Sequence, residues 1–579
     1  MSLDIRSRLS NLGPTPLEPP EDLRSRSSFS SKEDLASFLA RVGTRSDPFW
    51  KEISASLPWI EAPSSVRAGA DWFPGGKLNL AAACLEGAAA AGVFPIDSPG
   101  SPDEAIPGSA LAKMVHGAAR SVDTLGLAPG ETIVLHSRLD ASMIIGTLAC
   151  LHRGLAVLPV TPGTGDRDLD GIRELARPKG LVDTTGEPPA ATFDRTISIP
   201  VRPKGSEPFS PVPRDPGDPA LVLAEKSGSL HTIPGAGFLV QALSAYRYLL
   251  AGKQLDTPLW ICFDSRAVSF LAAALGTLAD GGHLGVINAG AFPSIGQLPS
   301  VVSSRRPSRL LVDTPFLHRV TREDRQQAGF PLDLLMAEGD SIQPSQWSAA
   351  RSLFEGDGPH MAQLLARPEA GGFIAGSDPL VATVNPGCAG HGAPGVSLSI
   401  VDGNGAPCLS GIGGFLALSH TCPAVSRELV AGETPLPLDV KARRDSQGRI
   451  WTLGEGRSNR PKPQGLPLME VETFLATLPQ IEQVAVVRFD DDEGVSKTRA
   501  FILPTPDAPG DVIEIIKAAI AGRHGEDAVP DSFQVVEELP RSRSGKLLRS
   551  VLRRISTGEP MGSDDVSIIA PGPTKGDDD

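Results

Sequence analysis

The sequence lacks the cysteine spacing of a zinc site or of a disulfide framework. Its six cysteines are scattered, and no two of them form a Cys-x-x-Cys pair. It also lacks an apolar run long enough to span a membrane, and residues 1–20 carry charges and prolines instead of the apolar core of a signal peptide. We therefore expect reduced thiols, no membrane association and a cytoplasmic protein.

Basic residues are in the minority. The chain has 54 Lys and Arg against 68 Asp and Glu, a formal net charge of −14. This balance argues against a general nucleic-acid-binding protein, although the basic run 541–554 can bind an anion locally. With 579 residues, 40% of them hydrophobic, the chain is long enough for two or more domains with sizeable cores. Small molecules or proteins are the expected partners.

Helix and strand patterns alternate from residue 110 onward, which predicts parallel sheets covered by helices. Short β-rich segments follow from residue 381, and a compact α+β pattern follows residue 454. We predict a large multi-layer α/β domain with a β-rich subdomain, followed by a small α+β domain. The predicted ranges are a disordered leader at 1–32, the large domain at 33–454, the small domain at 455–556 and an acidic tail at 557–579.

A glycine-rich turn follows the short apolar strand at 220–224. The turn contains Ser227, Gly228 and Ser229, and a helix is predicted from Phe238. A strand, a turn and a helix in this order can hold a phosphate with backbone amides and the helix N-terminus. The spacing fits neither the Walker A pattern nor G-x-G-x-x-G, and plain turns of this composition are common, so the signal is weak.

A second candidate is Lys546, which follows a Ser/Gly turn and precedes a segment with leucines at helical spacing. A lysine at such a junction suits a carboxylate or a phosphate, because its ammonium group is a compact charge on a flexible stem. The alternative is an ordinary solvated start of a basic helix.

The segment 539–549, Leu-Pro-Arg-Ser-Arg-Ser-Gly-Lys-Leu-Leu-Arg, resembles the C-terminal signature of the adenylate-forming (acyl-CoA synthetase) superfamily, in its acetyl-CoA synthetase branch. Other short segments match that branch in the same order along residues 45–570. They are Asp47–Trp50, Gly76–Leu80, Asp218–Pro219, Leu230–Thr232, Ala442–Gly448, Glu470–Glu472 and Val529–Asp531.

The resemblance implies a two-domain enzyme fold with a mobile small domain. In this family a carboxylic acid attacks the α-phosphate of Mg-ATP, and the CoA thiol then captures the acyl group, so ATP, Mg and CoA are the implied cofactors. Lys546 would contact the carboxylate and the α-phosphate, and Glu369 would hold the metal. Ser227, Gly228 and Ser229 would form the front of the phosphate loop.

The sequence departs from the family pattern in the phosphate loop. Where the family continues through Thr-Gly-x-Pro-Lys-Gly, Ser229 is followed directly by Leu230-His231-Thr232. The loop lysine and most of the amides that would hold phosphate are therefore missing.

Further departures concern the adenine and ribose contacts and two arginines of the family pattern. Ala366-Arg367-Pro368 replaces an aromatic residue followed by Gln-Thr, and Glu455 replaces an arginine. Asp439 matches the aspartate that grips the ribose only after a shift of one residue, and a family arginine is absent from Gly465–Pro467. Each lost polar contact would cost about 1.5–3 kcal/mol.

These departures favour a protein that has lost ordinary adenylation and acts as a binding or regulatory pseudoenzyme, with a protein partner. The alternative is an active but divergent acyl-CoA synthetase for a small carboxylic acid, an acid–thiol ligase. In that case the missing charge would come from basic residues elsewhere, namely Lys226, Arg457, Arg460 or Lys462.

A third hypothesis, hydrolysis or acyl transfer without ATP, would use His231, His283 or His420. No Gly-x-Ser-x-Gly motif accompanies them, so structural roles are favoured for these histidines.

Overall fold

The computed structural model describes the chain in nineteen ranges. They are 16–97, 104–162, 164, 166–189, 193–200, 203–204, 207–224, 230–252, 254–291, 308–323, 331–339, 341–402, 405–419, 422–425, 435–455, 468–490, 496–524, 529–541 and 547–557.

The strands are numbered in chain order. They are β1 (Arg67–Ala68), β2 (Asp71–Trp72), β3 (Gly92–Ile96), β4 (Ile106–Pro107), β5 (Thr132–His136), β6 (Ala156–Val160), β7 (Leu181–Asp183), β8 (Thr196–Ser198), β9 (Pro219–Ala224), β10 (Leu230–Pro234), β11 (Leu259–Cys262), β12 (Leu284–Ile287), β13 (Arg309–Asp313), β14 (Leu334–Glu338), β15 (His360–Arg367), β16 (Gly372–Gly376), β17 (His391–Gly392), β18 (Leu398–Val401), β19 (Gly413–Leu418), β20 (Leu436–Arg444), β21 (Ile450–Glu455), β22 (Ile481–Asp490), β23 (Ser496–Pro504) and β24 (Ser532–Val535).

The α-helices are numbered in the same way. They are α1 (Glu21–Arg24), α2 (Lys32–Thr44), α3 (Ser46–Ser54), α4 (Leu80–Gly87), α5 (Gly108–Asp123), α6 (Ala141–His152), α7 (Asp166–Ala176), α8 (Gly235–Tyr248), α9 (Ala267–Ala279), α10 (Thr314–Glu323), α11 (Pro344–Ser352), α12 (Leu468–Leu475), α13 (Val512–His524) and α14 (Arg549–Thr557). Within the described ranges, no helix combines the length and the apolar character that a membrane crossing requires.

Two large sheets form the centre of the N-terminal part. A nine-stranded sheet has the order β17-β16-β15-β14-β13-β11-β12-β3-β4, and its strands from β3 to β15 run parallel. A six-stranded sheet has the order β10-β9-β6-β5-β7-β8, with β10 as its antiparallel edge. The predicted parallel α/β class is confirmed, because alternating helices and strands fold into βαβ units.

The helices of the central layer are apolar on nearly every side. All residues of α6 are buried, as are most of α8 and α9. The helices α8 and α9 approach closely at Gly276, where an added Cβ would lie 2.4 Å from the carbonyl oxygen of Ala242. A helix without a polar face has to lie inside the protein, and this layer therefore fixes the positions of both sheets.

An aromatic cluster attaches the N-terminal segment to this core. Trp50 is fully buried, its ring contacts Phe49 and Trp72, and Phe49 contacts Tyr248 at the end of α8. These ring contacts give the aromatic residues of the N-terminal segment a structural role.

The predicted disordered leader at 1–32 requires a correction from residue 16 onward. Leu17 pairs with Val384, Leu23 is 1% exposed, and Lys32 forms an ion pair with Glu18. The composition of this segment is polar, but a few apolar side chains are enough to attach it to the core. Residues 1–15 lie outside the described ranges.

The C-terminal part, residues 468–557, has its own sheet and its own apolar core. The sheet has the order β22-β23-β24, and the core contains Leu475, Val484, Ile502 and Ile516. A four-stranded antiparallel sheet, β18-β19-β20-β21, precedes it in the chain. The predicted boundary at 454/455 stays a prediction, because 456–467 lie outside the described ranges, as does the predicted tail from 558 onward.

Candidate active site

Acidic side chains lie at the carboxyl edge of the nine-stranded sheet. Asp313 ends β13, Glu338 ends β14, and Glu369 follows β15 in a 3-10 turn, Pro368–Ala370. Ligands of open α/β sheets bind at this edge, because loops from several parallel strands meet there. The structure therefore places the predicted metal ligand Glu369 at the ligand-binding edge of this sheet type.

Glu369 is held by a guanidinium group from its own turn. Arg367 Nε donates to Glu369 Oε2 at 3.1 Å, and Arg367 Nη2 donates to Oε1 at 2.7 Å. The two side chains are 11% and 10% exposed. A bidentate arginine–carboxylate pair satisfies both oxygens with charge-assisted hydrogen bonds.

The backbone of the turn is fixed by close packing. Gly371 ends it with a φ of 67°, and a Cβ at this position would lie 2.7 Å from the Cβ of Ala424. A left-handed backbone in so narrow a space requires glycine. Arg367 and Glu369 are thus held on a turn with little freedom.

These residues do not fit a divalent metal. Mg²⁺ is bound through carboxylate oxygens that remain free to coordinate it, and both oxygens of Glu369 are bound to Arg367. Among the described residues, no group of three or more His, Cys, Asp or Glu side chains is arranged to hold a metal ion. The metal role of Glu369 stays a prediction from the sequence, and the geometry around it does not support that role.

A second acid–guanidinium contact lies on the neighbouring strand. Glu338 is fully buried, its Oε1 accepts the backbone N–H of Ala366 at 3.2 Å, and its Oε2 lies 3.6 Å from Arg266 Nε. Burial raises the pKa of Glu338, and the charge of Arg266 opposes that rise. This edge of the sheet is therefore occupied by the protein's own ion pairs.

Asp313 has a structural role at the same edge. It is fully buried, and its carboxylate accepts the N–H groups of Asp264 at 3.0 Å, Ser265 at 2.9 Å and Phe316 at 3.0 Å. Burial, with a smaller contribution from Asp264, raises the pKa of Asp313 to about 6. The carboxylate joins the loop after β11 to the first turn of α10.

The predicted phosphate turn, Ser227, Gly228 and Ser229, lies outside the described residues. Its flanking strands are described: β9 and β10 form an antiparallel hairpin in which Ala224 pairs with Leu230. Only residues 225–229 join these two paired residues. The roles of the three turn residues stay predictions.

The order of elements after this turn differs from the predicted one. The sequence predicts a glycine-rich loop directly before a helix from Phe238, whereas in the structure β10 intervenes and α8 begins at Gly235. His231 and Ile233 are buried in alternation with more exposed neighbours, which is the strand pattern that the sequence analysis missed.

Gly237 serves packing. A Cβ at this position would lie 1.7 Å from the carbonyl oxygen of Pro423. The glycine therefore allows α8 to approach the loop at 422–425, and this close approach explains the glycine without a phosphate.

Asp439 lies in β20, and its side chain is outside the described set. Glu455, the residue that replaces a family arginine, ends β21 and is placed beside the same strand by the pair Val440–Glu455. The four basic residues predicted to supply charge, Lys226, Arg457, Arg460 and Lys462, all lie outside the described ranges.

A different set of basic residues, which the sequence does not indicate, consists of Lys441, Arg488 and Arg553. Lys441 in β20 is half-buried, and burial lowers its pKa, with smaller contributions from Arg488 in β22 and Arg553 in α14. The charges of these two arginines, both in the C-terminal part of the chain, therefore disfavour the charged form of Lys441. The two arginines are far from Lys441 in the sequence, so residue spacing does not predict that their charges act on Lys441.

Lys546 also lies outside the described residues, but the ends of its loop are described. Arg541 and Leu547 form an antiparallel bridge, and Leu548 N donates to Pro540 O at 2.7 Å. The helix α14 begins at Arg549, two residues beyond that bridge. The catalytic role of Lys546 stays a prediction.

The chain matches the family model "AMP-binding enzyme C-terminal domain" at residues 470–546, a range that ends at Lys546. It is 25% identical to the acetyl-coenzyme A synthetase of Streptomyces avermitilis over 620 positions, covering 94% of each chain. It is 22% identical to that of Chlorobaculum tepidum over 626 positions, covering 94% of this chain and 93% of the relative. The second alignment is longer than the 579 residues of the chain, so the relative has segments without a counterpart here.

The fold is similar to that of a solved structure, the acetoacetyl-CoA synthetase from Streptomyces lividans. The TM-score is 0.71 at 17% sequence identity, and the match covers 94% of this chain and 96% of that one. At this identity the likeness concerns the fold.

Proposed function

Because the chain belongs to the adenylate-forming superfamily, in its acetyl-CoA synthetase branch, we propose that it has lost ordinary ATP-dependent adenylation and acts as a binding or regulatory protein. The observation that carries this proposal is the ion pair between Arg367 and Glu369. Members of the family use a carboxylic acid, ATP, Mg and CoA, and Glu369 is the metal ligand that the resemblance predicts.

The energy of this ion pair opposes metal binding. Removing one partner of a buried, hydrogen-bonded ion pair costs about 3–5 kcal/mol, because the other charge stays buried without a counter-ion. A metal ion competing for Glu369 would have to overcome a cost of this size. About 3 kcal/mol corresponds to a weakening of the affinity by roughly two powers of ten.

The hairpin between β9 and β10 supports the same proposal. Since Ala224 and Leu230 are paired, five residues at most provide amides for a phosphate at this turn. Phosphate loops depend on several convergent backbone N–H groups and a lysine. A short hairpin connection supplies fewer of them.

A second candidate function is an active but divergent acyl-CoA synthetase, favoured by the positive charges of Arg488 and Arg553, which act on Lys441 and help to lower its pKa. Such an enzyme would form an acyl-adenylate from a small carboxylic acid and ATP and transfer the acyl group to CoA. Lys546 would then contact the carboxylate and the α-phosphate. Basic side chains near β20 would replace the charge that the short phosphate turn lacks.

Two measurements on the full chain decide between these functions. The first is titration calorimetry with ATP, with and without Mg²⁺, and the second is pyrophosphate release over a panel of short and aromatic carboxylic acids. We expect no saturable binding of Mg-ATP at millimolar concentration and no acid-dependent pyrophosphate release. The acetyl-coenzyme A synthetase of Streptomyces avermitilis serves as the positive control.

The variant Lys546→Ala tests the second candidate, and Lys517→Ala, a change in an exposed ion pair, is its control. Acid-dependent pyrophosphate release by the wild-type chain that is lost in Lys546→Ala and kept in Lys517→Ala would overturn the proposed loss of adenylation.

A further inference from the structure

A buried polar cluster lies in the six-stranded sheet, at the carboxyl ends of β5 and β7. The connection from β5 leads to β6 on one side, and the connection from β7 leads to β8 on the other. Loops that leave two adjacent parallel strands in opposite directions open a crevice between them, where open α/β sheets bind ligands. His136 ends β5, Asp183 ends β7, and the two residues are direct partners in the ladder.

His136 and Asp183 form a hydrogen-bonded pair. His136 Nδ1 lies 2.9 Å from Asp183 Oδ1, and the side chains are 7% and 0% exposed. Asp183 also accepts the Thr185 hydroxyl at 2.7 Å and the N–H of Gly186 at 3.0 Å. Burial works to raise the pKa of Asp183, but hydrogen bonds from Thr185, His136 and Gly186 hold that pKa below its usual range.

The charge of Asp183 fixes the tautomer of the histidine. An ionised carboxylate only accepts hydrogen bonds, so the proton between the two groups belongs to Nδ1. In the neutral ring Nε2 then carries a lone pair. Among the described residues, none forms a hydrogen bond with His136 Nε2. The His136 side chain is 7% exposed, so part of it is open to solvent.

Hydroxyl groups continue the cluster beside this pair. Thr184 Oγ1 donates to Ser137 Oγ at 2.7 Å, and Ser137 Oγ lies 3.0 Å from Ser142 Oγ. Ser142 Oγ donates to Asp140, a buried carboxyl group. Two buried carboxyl groups, Asp140 and Asp183, therefore belong to this cluster, and the charge of Asp183 disfavours an anionic ligand.

We propose that this crevice of the six-stranded sheet is a ligand site, distinct from the carboxyl edge of the nine-stranded sheet, in which His136 Nε2 accepts a hydrogen bond from a small alcohol, amine or thiol. Asp183 is the positioning residue, because it holds the Nδ1 proton and thereby leaves Nε2 as the acceptor. The site does not depend on whether the chain adenylates an acid.

Carbethoxylation of the wild-type protein by diethyl pyrocarbonate tests whether Nε2 can be reached. This reagent modifies an unprotonated, accessible imidazole nitrogen. Tryptic peptide 121–138 contains His136 as its sole histidine, so mass spectrometry locates the adduct without a variant. We expect rapid modification of His136, slowed severalfold in Asp183→Asn because Nε2 then carries the proton for part of the time.

Ligand class is tested by NMR of the full chain with ¹³Cε1-labelled histidine, using His136→Gln for assignment and His116→Gln as the control. Ethanolamine, cysteamine and phenol are compared with acetate and phosphate. We expect saturable shifts of the His136 resonance with the three donors and none with the two anions. The proposal is overturned if His136 stays unmodified, or if the anions shift its resonance as strongly as the donors.

Discussion

The ion pair between Arg367 and Glu369 gives the sharpest prediction, through a double-mutant cycle. Arg367→Gln and Glu369→Gln each remove one charge of a pair with side chains that are 11% and 10% exposed. Each single variant should lower the free energy of unfolding by about 3 kcal/mol, because the remaining charge stays buried without its partner. The double variant should lose less than the sum, with a coupling energy of about 2 kcal/mol.

The tryptophans give a direct assay for this cycle. All six precede residue 455, so urea unfolding followed by tryptophan fluorescence reports on the N-terminal part of the chain. The same cycle on Arg173 and Asp170, a pair that is 41% and 64% exposed, is the control and should give about 0.5 kcal/mol or less. A coupling energy that small for Arg367 and Glu369 would refute the reasoning, since Glu369 would then be available to a metal.

Three further predictions concern stability. Arg549→Gln leaves the fully buried Glu472 without its bidentate partner and should destabilise the C-terminal part by about 3 kcal/mol. Hydrogen exchange of the β22 amides measures this loss. The control Lys517→Gln, in an exposed ion pair, should change the stability of the C-terminal part little. Burial raises the pKa of Asp378 to about 6. The stabilising contribution of its protonated carboxyl group is therefore present below about pH 4 and lost as pH rises through 6. Relative to wild type, Asp378→Asn should gain up to about 3 kcal/mol between pH 4 and pH 7 in urea titrations, and a pH-independent difference would contradict this assignment. Gly237→Ala should lower the free energy of unfolding by about 3 kcal/mol or more in the same titration, because the added Cβ meets backbone atoms. Gly217→Ala, with open space around the added Cβ, should be close to neutral. Equal effects of the two variants would exclude the packing explanation.

The parallel sheets were accessible from the sequence because their strands are short apolar runs between helical patterns. The strands β5 (Thr132–His136) and β11 (Leu259–Cys262) are runs of this kind. The strand β10 was missed, because its alternation was read as part of a glycine-rich loop. The strand β15 was missed as well, since His-Met-Ala-Gln-Leu-Leu-Ala-Arg contains residues that also favour helices.

The candidate site was less accessible than the fold. The sequence identified Arg367 as a departure from the family pattern, but its contact with Glu369 depends on the backbone of a 3-10 turn that ends at a left-handed glycine. The electrostatic effect of Arg488 and Arg553 on Lys441 depends on the fold, because the three residues belong to elements that are far apart in the sequence. The roles of Lys546, Ser227, Gly228, Ser229 and Asp439 stay predictions.

The turn with Arg367 and Glu369 also constrains how such a chain evolves. A substitution that removes the arginine leaves a buried carboxylate without a counter-ion, so the first step towards a free metal ligand lowers stability before it gives any function. The short connection between Ala224 and Leu230 would have to lengthen in addition, and neither change is useful alone. Under the proposed loss of adenylation, a free metal ligand and a longer phosphate loop therefore require two separate changes, and the first of them lowers stability.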